Sequence, residues 1–273
     1  MATSAAGHRK LLVLLACSSA WFGCTKFTSE AADTPIAEAG AGDDASDAGA
    51  SDGSTAAPPF LLDTFTRTQA TGWGLADIGG PWRVTGTASV AGGVGRMVPA
   101  IGTGVYVFSD AVAAGDIDLQ VVVTSSAIGN KSDAGLALGS GLFVSLIGRA
   151  AAGNSSNYAA AVIVENGGTV GFGLSSRVNG VDTSLSRVSA ERTVAAGEAL
   201  RIRFQIVGTR PTRLRGKTWK TSEPEPAAWT AEVEDSAAPL QQAGGIALST
   251  YLSSKSAVPV TATFDEVTAR PLP

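Results

Sequence analysis

The sequence predicts an all-β fold, a two-sheet antiparallel β-sandwich that begins near residue 59. Beyond that point apolar residues recur at every second position, with glycine or polar clusters between the runs. No stretch sustains the spacing of an amphipathic helix, and strand runs without intervening helices exclude a parallel α/β fold. About a dozen such runs fit between residues 59 and 273, which is typical of one sandwich domain.

Three segments carry this pattern most clearly. In 116–123 (DIDLQVVV) and in 199–207 (ALRIRFQIV), four apolar residues face one way and polar residues face the other. The segment 157–177 predicts a hairpin that turns at Asn166-Gly167-Gly168, because glycine adopts a positive φ without steric cost. Each run therefore has one face for a dry interior and one for solvent.

The segment 212–235 predicts a hairpin with a charged outer face. A register that pairs Lys217 with Glu232 and Arg215 with Glu234 sets opposite charges across from each other. We therefore expect both glutamates to be engaged in ion pairs with Lys217 and Arg215. The alternative is that Glu232 and Glu234, at positions i and i+2, serve as the two carboxylates of a retaining glycosidase.

The same register decides where the two tryptophans of this hairpin lie. Trp219 shares the charged face and is expected to be exposed, whereas Trp229 is expected to point into the core. An exposed aromatic ring can stack on a sugar. Trp219 is therefore a candidate ligand-binding residue.

The N-terminal segment has the parts of an export signal. A basic start precedes the apolar run 11–22, which is too short to cross a bilayer. Cys17 and Cys24 each follow a small residue near its end, which resembles the lipobox of bacterial lipoproteins. The resemblance implies a signal peptide over 1–23 and lipidation of Cys24, with Cys17 as the alternative, in a protein of the bacterial envelope, at the outer membrane or cell surface. An ordinary secretory signal with incidental cysteines is the other interpretation.

Residues 24–58 predict a disordered linker rich in Ala, Asp, Gly and Ser. Such a segment buries too little apolar surface to offset its chain entropy. Before residue 59 there are three basic and seven acidic residues, so the other 17 basic and 17 acidic residues leave the domain neutral. A neutral domain argues against nucleic acid as a partner, since binding phosphates needs an excess of Lys and Arg. Because the linker is acidic, anionic membrane surfaces should repel it, so the lipid anchor is the expected contact with the membrane.

The residue types of the domain restrict its chemistry. The only histidine is His8, and both cysteines precede residue 25. A disulfide, a cysteine metal site and a histidine base are therefore excluded from the domain, and any hydrolase must use carboxylates. Asp63 and Asp265 lie near the two ends of the domain and are candidates for a structural calcium site, with solvated strand ends as the alternative. No other cofactor is expected.

The glycine-rich stretch 63–86 contains Trp73 and Trp82, which we predict to close one end of the sandwich; a sugar-stacking platform is the alternative. Asp77 is predicted to accept hydrogen bonds from amides two and three residues later, as in an Asx turn. Four glycines of the stretch predict turns with positive φ: Gly72, Gly74, Gly79 and Gly80.

Four segments in this order carry a resemblance that covers nearly all of 60–273. They are DTFTRT…GWGLADIGGPW, 148–177, 212–253 and VTATFDEVTA. They resemble secreted bacterial and phage-borne domains with the concanavalin A-like (LamG-type) jelly roll. The resemblance implies an antiparallel jelly-roll β-sandwich in which the first strand (Phe60–Arg67) pairs near the last (Val258–Val267).

The resemblance also suggests a binding role. Relatives of the fold include lectins, carbohydrate-binding modules and some glycosidases, and similar domains carry Arg and Tyr at the positions of Arg149, Tyr158 and Arg177. With Trp219, these residues are the candidates for a glycan groove, and edge packing is the alternative. The expected protein is a monomeric, lipid-anchored surface protein that binds a carbohydrate or other polymer without catalysis. The alternatives are a carbohydrate-active enzyme that uses carboxylates alone, and a structural or adhesive surface module.

Overall fold

The computed structural model describes residues 57–129, 140–256 and 258–272, all within the unit Ser54–Pro273. The predicted signal peptide, Cys17, Cys24 and the linker up to residue 56 lie outside the described residues. The described part contains fifteen strands and two short 3₁₀ turns. None of its helical segments has the length and apolar character needed to span a membrane.

The strands build two antiparallel sheets. In chain order they are β1 (Leu61–Asp63), β2 (Trp82–Thr85), β3 (Ala88–Ala91), β4 (Val94–Met97), β5 (Gly104–Ala114), β6 (Ile117–Ser125), β7 (Gly141–Ala150), β8 (Asn157–Glu165), β9 (Thr169–Val178), β10 (Val181–Thr193), β11 (Ala199–Val207), β12 (Thr212–Lys220), β13 (Ala231–Asp235), β14 (Gly244–Leu252) and β15 (Ala262–Arg270). The eight-stranded sheet has the order β13-β12-β11-β6-β15-β4-β3, and β1 also pairs with β15. The seven-stranded sheet has the order β10-β9-β8-β7-β14-β5-β2. The predicted all-β, two-sheet antiparallel sandwich is confirmed.

The core lies between the two sheets and follows the predicted alternation. β6 buries every second residue, with Ile117, Leu119, Val121 and Val123 inward, and β11 does the same from Leu200 to Ile206. These side chains belong to one contiguous apolar cluster that spans both inner faces. Burying a side chain of this size contributes about 1.5–3 kcal/mol, so packing between the sheets stabilises the domain.

Two predicted features of the connections are confirmed. The hairpin between β8 and β9 turns at the predicted place, where Gly167 and Gly168 have φ values of 85° and 83°. The first strand pairs with the last, with Leu61 opposite Ala269. The two ends of the domain are thus joined in one sheet.

Trp73 and Trp82 are buried, as predicted. The Trp73 ring packs edge-to-face on Phe65 at 4.9 Å and on Trp82 at 5.4 Å between ring centroids. Trp82 Nε1 donates a 2.6 Å hydrogen bond to Asp63 Oδ2. Both rings are less than a tenth exposed, so neither can serve as a sugar platform.

The role of Asp77 differs from the predicted Asx turn. Asp77 Oδ2 accepts hydrogen bonds from Thr64 N at 2.8 Å and Thr64 Oγ1 at 2.6 Å, thirteen residues earlier in the chain. A backbone bridge between Leu62 and Ile78 brings the two segments together, which local spacing cannot reveal. These bonds lower the pKa of Asp77.

The register of the β12–β13 hairpin differs by two residues from the predicted one. Arg215 lies opposite Glu232, and Arg213 lies opposite Glu234. The faces are as predicted, because a shift by two preserves the alternation. Lys217 instead pairs with Glu225 at 2.7 Å, because the segment after β12 turns back across the outer face of the sheet.

The exposure of the two hairpin tryptophans was predicted wrongly. Trp219 is only 4% exposed, although it lies on the outer side of β12. Trp229 is half-buried on that same outer side, with its ring centroid 4.7 Å from the Arg215 guanidinium carbon and 4.5 Å from Lys217 Nζ. The long connection between the strands places Trp229 over the charged face, which a tight hairpin would have left open.

Candidate functional site

Arg149 does not line a groove. Its side chain is buried, and its guanidinium donates to the carbonyl oxygens of Gly115 and Gly208, both at 2.8 Å, and of Leu240 at 3.0 Å. Burial lowers the pKa of Arg149. Arg149 therefore bonds to three loops at one end of the sandwich, which agrees with the alternative that it is a packing residue.

Tyr158 is also a structural residue. Its ring is fully buried in the core, and its hydroxyl donates a 2.7 Å hydrogen bond to Asp235 Oδ2. The same hydroxyl accepts a bond from Gln241 Nε2 at 3.2 Å. Burial raises the pKa of Tyr158, and the ring does not reach the surface.

The carboxylates considered for calcium already accept hydrogen bonds from this chain, and Asp265 Oδ1 accepts one from Glu266 N at 2.7 Å. Both oxygens of Asp63 accept hydrogen bonds from Arg67, at 2.7 and 2.8 Å, so this buried charge is already paired with a cation. Burial raises the pKa of Asp265. Among the described residues, no group of three or more His, Cys, Asp or Glu side chains is arranged to hold a metal ion. This geometry gives the calcium interpretation no support.

The outer face of the seven-stranded sheet has small side chains at its centre. In one row across the strands, Ala247 of β14 lies between Phe108 of β5 and Ile147 of β7, and Ala159 of β8 follows. In the next row Ser249 lies between Tyr106 and Ser145, and Ala161 follows. Because the central residues are alanine and serine, a trough runs between the larger side chains.

Four aromatic residues line this trough. Tyr106 and Phe108, two positions apart on β5, stack with their ring centroids 6.0 Å apart and an angle of 10° between the ring planes. Phe143 and Tyr251 meet at 5.8 Å and 64°, and Tyr251 is 40% exposed. Phe108 is only 8% exposed and lies beneath the Arg83 guanidinium, so the trough offers two accessible aromatic surfaces, Tyr106 on β5 and the Phe143–Tyr251 pair of β7 and β14.

Two bidentate ion pairs lie beside the aromatic rings. Arg83 of β2 donates to Asp110 at 2.5 and 3.0 Å, and its guanidinium carbon lies 4.3 Å from the centroid of the Phe108 ring. Arg177 of β9 donates to Asp182 of β10 through two bonds of 2.7 Å. The hydrogen bond from Arg83 lowers the pKa of Asp110, which therefore stays ionised at neutral pH.

The trough is one continuous groove made of three depressions. Their volumes are about 660, 250 and 160 Å³. The first and second share Arg83 and Phe108, and the second and third share Tyr106, Asn154 and Arg177. A 3₁₀ turn over 152–154 contributes to the wall at all three.

Of the four residues proposed from the sequence, Arg177 alone lines this groove. Trp219 lies on the other sheet, and Arg149 and Tyr158 are buried. Sequence reasoning missed the four aromatic residues and Arg83. One signal was present, because Gly171, Gly173 and Ser175 stand at the outer positions of β9, where an ordinary solvent face carries long polar side chains. A face of small residues marks a place where another molecule can approach the sheet.

The two antiparallel sheets form a β-sandwich with the concanavalin A-like jelly-roll fold. The chain is similar to a β-glucanase from Bacillus licheniformis, at 11% identity and a TM-score of 0.51, over 79% of this chain and 99% of that one. It is also similar to a carbohydrate-binding module from Bacillus subtilis (16% identity, TM-score 0.47, 69% and 94% covered) and to the lectin UEA-II complexed with galactose (11%, 0.47, 78% and 99%). No protein-family model and no curated protein matches the sequence. At these identities the likeness shows the fold alone.

Proposed function

We propose that this protein binds a carbohydrate polymer in the groove of the seven-stranded sheet and does not hydrolyse it. The observation that carries the proposal is the combination, in one groove, of aromatic rings with bidentate Arg–Asp pairs. Aromatic faces stack on the CH faces of pyranose rings, and paired donors and acceptors match sugar hydroxyl groups.

The charge balance of the groove favours a neutral glycan. Arg83 is paired with Asp110 and Arg177 with Asp182, so each cation already has its anion. Neither pair leaves an excess charge to attract a phosphate or a polyanion. Hydroxyl groups, in contrast, both donate and accept, and they fit beside such pairs.

The length of the groove favours a polymer over a single sugar. The three joined depressions cross from Tyr251 and Phe143 at one end to the Arg83–Asp110 pair at the other. Ligand sites are concave and mostly apolar, with a few polar groups that orient the ligand, and this groove has that composition.

The carboxylates of the described residues favour binding over hydrolysis. A glycosidase needs a general acid with a raised pKa, whereas the pKa of Asp110 is lowered by Arg83. Glu232 and Glu234 lie on the other sheet, and Glu232 pairs with Arg213 at 2.5 Å. We therefore do not propose an enzyme.

We also propose that the domain is displayed on the bacterial envelope by a lipid on Cys24, with Cys17 as the alternative. The apolar run and the small residues before these cysteines support this. The linker predicted for 24–58 would place the domain about 30 Å from the anchor, from about 5–6 Å times the square root of its length. The domain could then reach a polymer outside the membrane as a monomer, with no cofactor.

The binding proposal is tested by presenting the full chain to a glycan array and measuring the affinity for the glycans it retains by calorimetry. Tyr106→Ala and Tyr251→Ala should each weaken binding roughly tenfold, because each removes a stacking surface worth about 1.5 kcal/mol. Trp229→Ala, on the outer side of the other sheet, is the matched control and should leave the affinity unchanged. Unchanged affinity in both tyrosine variants would contradict the proposed site, and shortening of the bound glycan would contradict a non-catalytic role.

A further inference from the structure

The largest depression of the groove differs in composition from the rest. It has a volume of about 660 Å³, and the only polar side chains that the described residues contribute to it are those of Arg83 and Asp110. The remaining wall consists of small or apolar residues: Phe108, Val112, Ala113, Ala150, Ala151, Ala152, Gly153, Ala243, Gly244, Gly245 and Ile246. Apart from the Arg83–Asp110 pair, a sugar hydroxyl placed there would find polar partners only in backbone groups, whereas a methyl group would fit beside the alanine side chains.

This apolar depression is built into the backbone. β14 has an irregular register between Gly245 and Ala247 against its neighbour on one side, and between Gly244 and Ile246 on the other. A Cβ atom at Gly244 would lie 2.5 Å from the backbone of Arg149, so β14 and β7 approach closely at this point. A Cβ atom at Gly245 would lie 3.9 Å from the Cβ atom of Ala150, so the absence of a side chain at Gly245 leaves the space beside Ala150 open.

A hydrogen-bond donor and an acceptor stand side by side at the edge of the depression. The Arg83–Asp110 pair uses Nε and Nη2 of Arg83, and Nη1 makes no hydrogen bond to any described residue. Asp110 keeps further acceptor sites, because an ionised carboxylate offers about four. The guanidinium is held over the Phe108 ring at 4.3 Å, which limits its freedom to turn.

We propose that this depression selects N-acetylated sugars, an inference that rests on the proposed glycan binding. The amide N–H of an acetamido group would donate to Asp110, and its carbonyl oxygen would accept from Nη1 of Arg83. The methyl group would pack against the alanine wall and lose its contact with water. One acetamido group thus matches a donor, an acceptor and an apolar surface in the same place.

Other substituents fit this arrangement less well. A free hydroxyl can bond to Asp110 but leaves the alanine wall facing water. A free amine is protonated at neutral pH, so it would pair with Asp110 but be repelled by Arg83. The expected order of affinity is therefore acetamido, then hydroxyl, then ammonium.

The experiment compares oligosaccharides of one length and linkage that differ at this group, by calorimetry with the full chain. The probes are N-acetylated chitotetraose, cellotetraose and de-N-acetylated chitotetraose. Chitotetraose should bind at least about tenfold more tightly than cellotetraose, because a site built for a polar group and a methyl group discriminates by this amount or more.

Two variants test whether the preference for N-acetylated sugars arises in this depression. Ala113→Leu extends an exposed side chain into the depression and should abolish the preference while cellotetraose binds as before. Ala228→Leu, at an exposed alanine outside the groove, is the matched control and should keep the preference.

The outcomes separate the two proposals. Equal affinity for N-acetylated chitotetraose and cellotetraose overturns the acetyl inference and leaves glycan binding in place. Binding confined to glycans without acetyl groups, or a preference that survives in Ala113→Leu, overturns it as well. Failure to bind any glycan on the array overturns both proposals.

Discussion

The outer faces of the two sheets contain similar residue types but have different surfaces. Both carry arginines paired with carboxylates and at least one aromatic ring. On the eight-stranded sheet the charges bond to one another over a closed surface, whereas on the seven-stranded sheet they border an open groove. The size of the residues between the charged groups makes the difference.

On the eight-stranded sheet, long side chains fill the centre of the face. Asp118 accepts hydrogen bonds from Arg203 and from Gln205, and Arg203 also pairs with Glu225 at 2.6 Å. Lys217 donates to the carbonyl of Pro226 at 2.7 Å in the connection that folds back over the face. These groups satisfy each other and leave little for a ligand.

On the seven-stranded sheet, alanine and serine take the central places, and Ala159 and Ser249 line the floor of the groove. The ion pairs there stand at the sides of the groove and are about half exposed, as Arg83 and Asp110 are at 49% and 57%. Charged residues in the sequence therefore do not mark the face that carries the groove. The run of small outer residues does.

The largest effect is expected from filling the groove. Ser145→Trp places a large ring at the centre of the trough beside Ser249 and should reduce glycan binding below detection on the array, because the ring occupies the space of the ligand. Thr124→Trp makes the same change at a half-buried hydroxyl residue on the outer face of the other sheet. Undiminished binding by Ser145→Trp, or equal loss in both variants, would contradict the contrast between the faces.

The next effect is on stability, and here the larger loss is expected on the eight-stranded sheet. Asp118→Ala should lower the free energy of unfolding by about 2 kcal/mol, because it removes the acceptor that Arg203 and Gln205 share in a mostly buried network and leaves Arg203 with Glu225 alone. Asp110→Ala breaks an exposed pair and should cost less than about 0.5 kcal/mol, while weakening glycan binding. Urea titrations monitored by tryptophan fluorescence measure both values. A larger loss for Asp110→Ala than for Asp118→Ala would refute this division of roles.

The smallest effect is expected from pH. Because the folded-state pKa of Asp110 is lowered, the stabilisation from its pairing with Arg83 is present above the unfolded pKa of about 3.9 and is lost as the pH falls through the folded value. Glycan affinity should therefore change less than about twofold between pH 8 and pH 5 and fall only below about pH 4. Calorimetry across this range checks it, with Arg83→Gln as the comparison. A midpoint near pH 6 would instead indicate a carboxyl group with a raised pKa in the groove.

The fold was more predictable than the site for a physical reason that particular residues show. Alternation assigns each residue of β6 to a face independently of its partner strand, and the structure confirms that assignment. The partner of Lys217 depended on how a ten-residue connection folds back, and the prediction was wrong by two residues. A shift by two changes which charges meet but buries the same side chains, so hydrophobicity alone cannot choose between the two registers.

The candidate site shows the same limit. Arg149, Tyr158 and Arg177 lie close together in the predicted strands, yet Arg177 reaches the groove while the other two point into the protein. For Arg149 the backbone has φ of 50°, a local irregularity at the end of β7 that redirects the side chain. The spacing of residues in the sequence does not predict such an irregularity.

Period-two burial and residue types were enough to predict that the chain beyond residue 59 forms an antiparallel sandwich, that its core is held by packing, and that histidine and cysteine chemistry is excluded from the domain. Both are local properties of the chain. The position of the groove could be found only in the folded domain, because the groove lies where small residues of β14, β7, β8 and β9 fall side by side. That alignment depends on strand order and register between segments far apart in the chain.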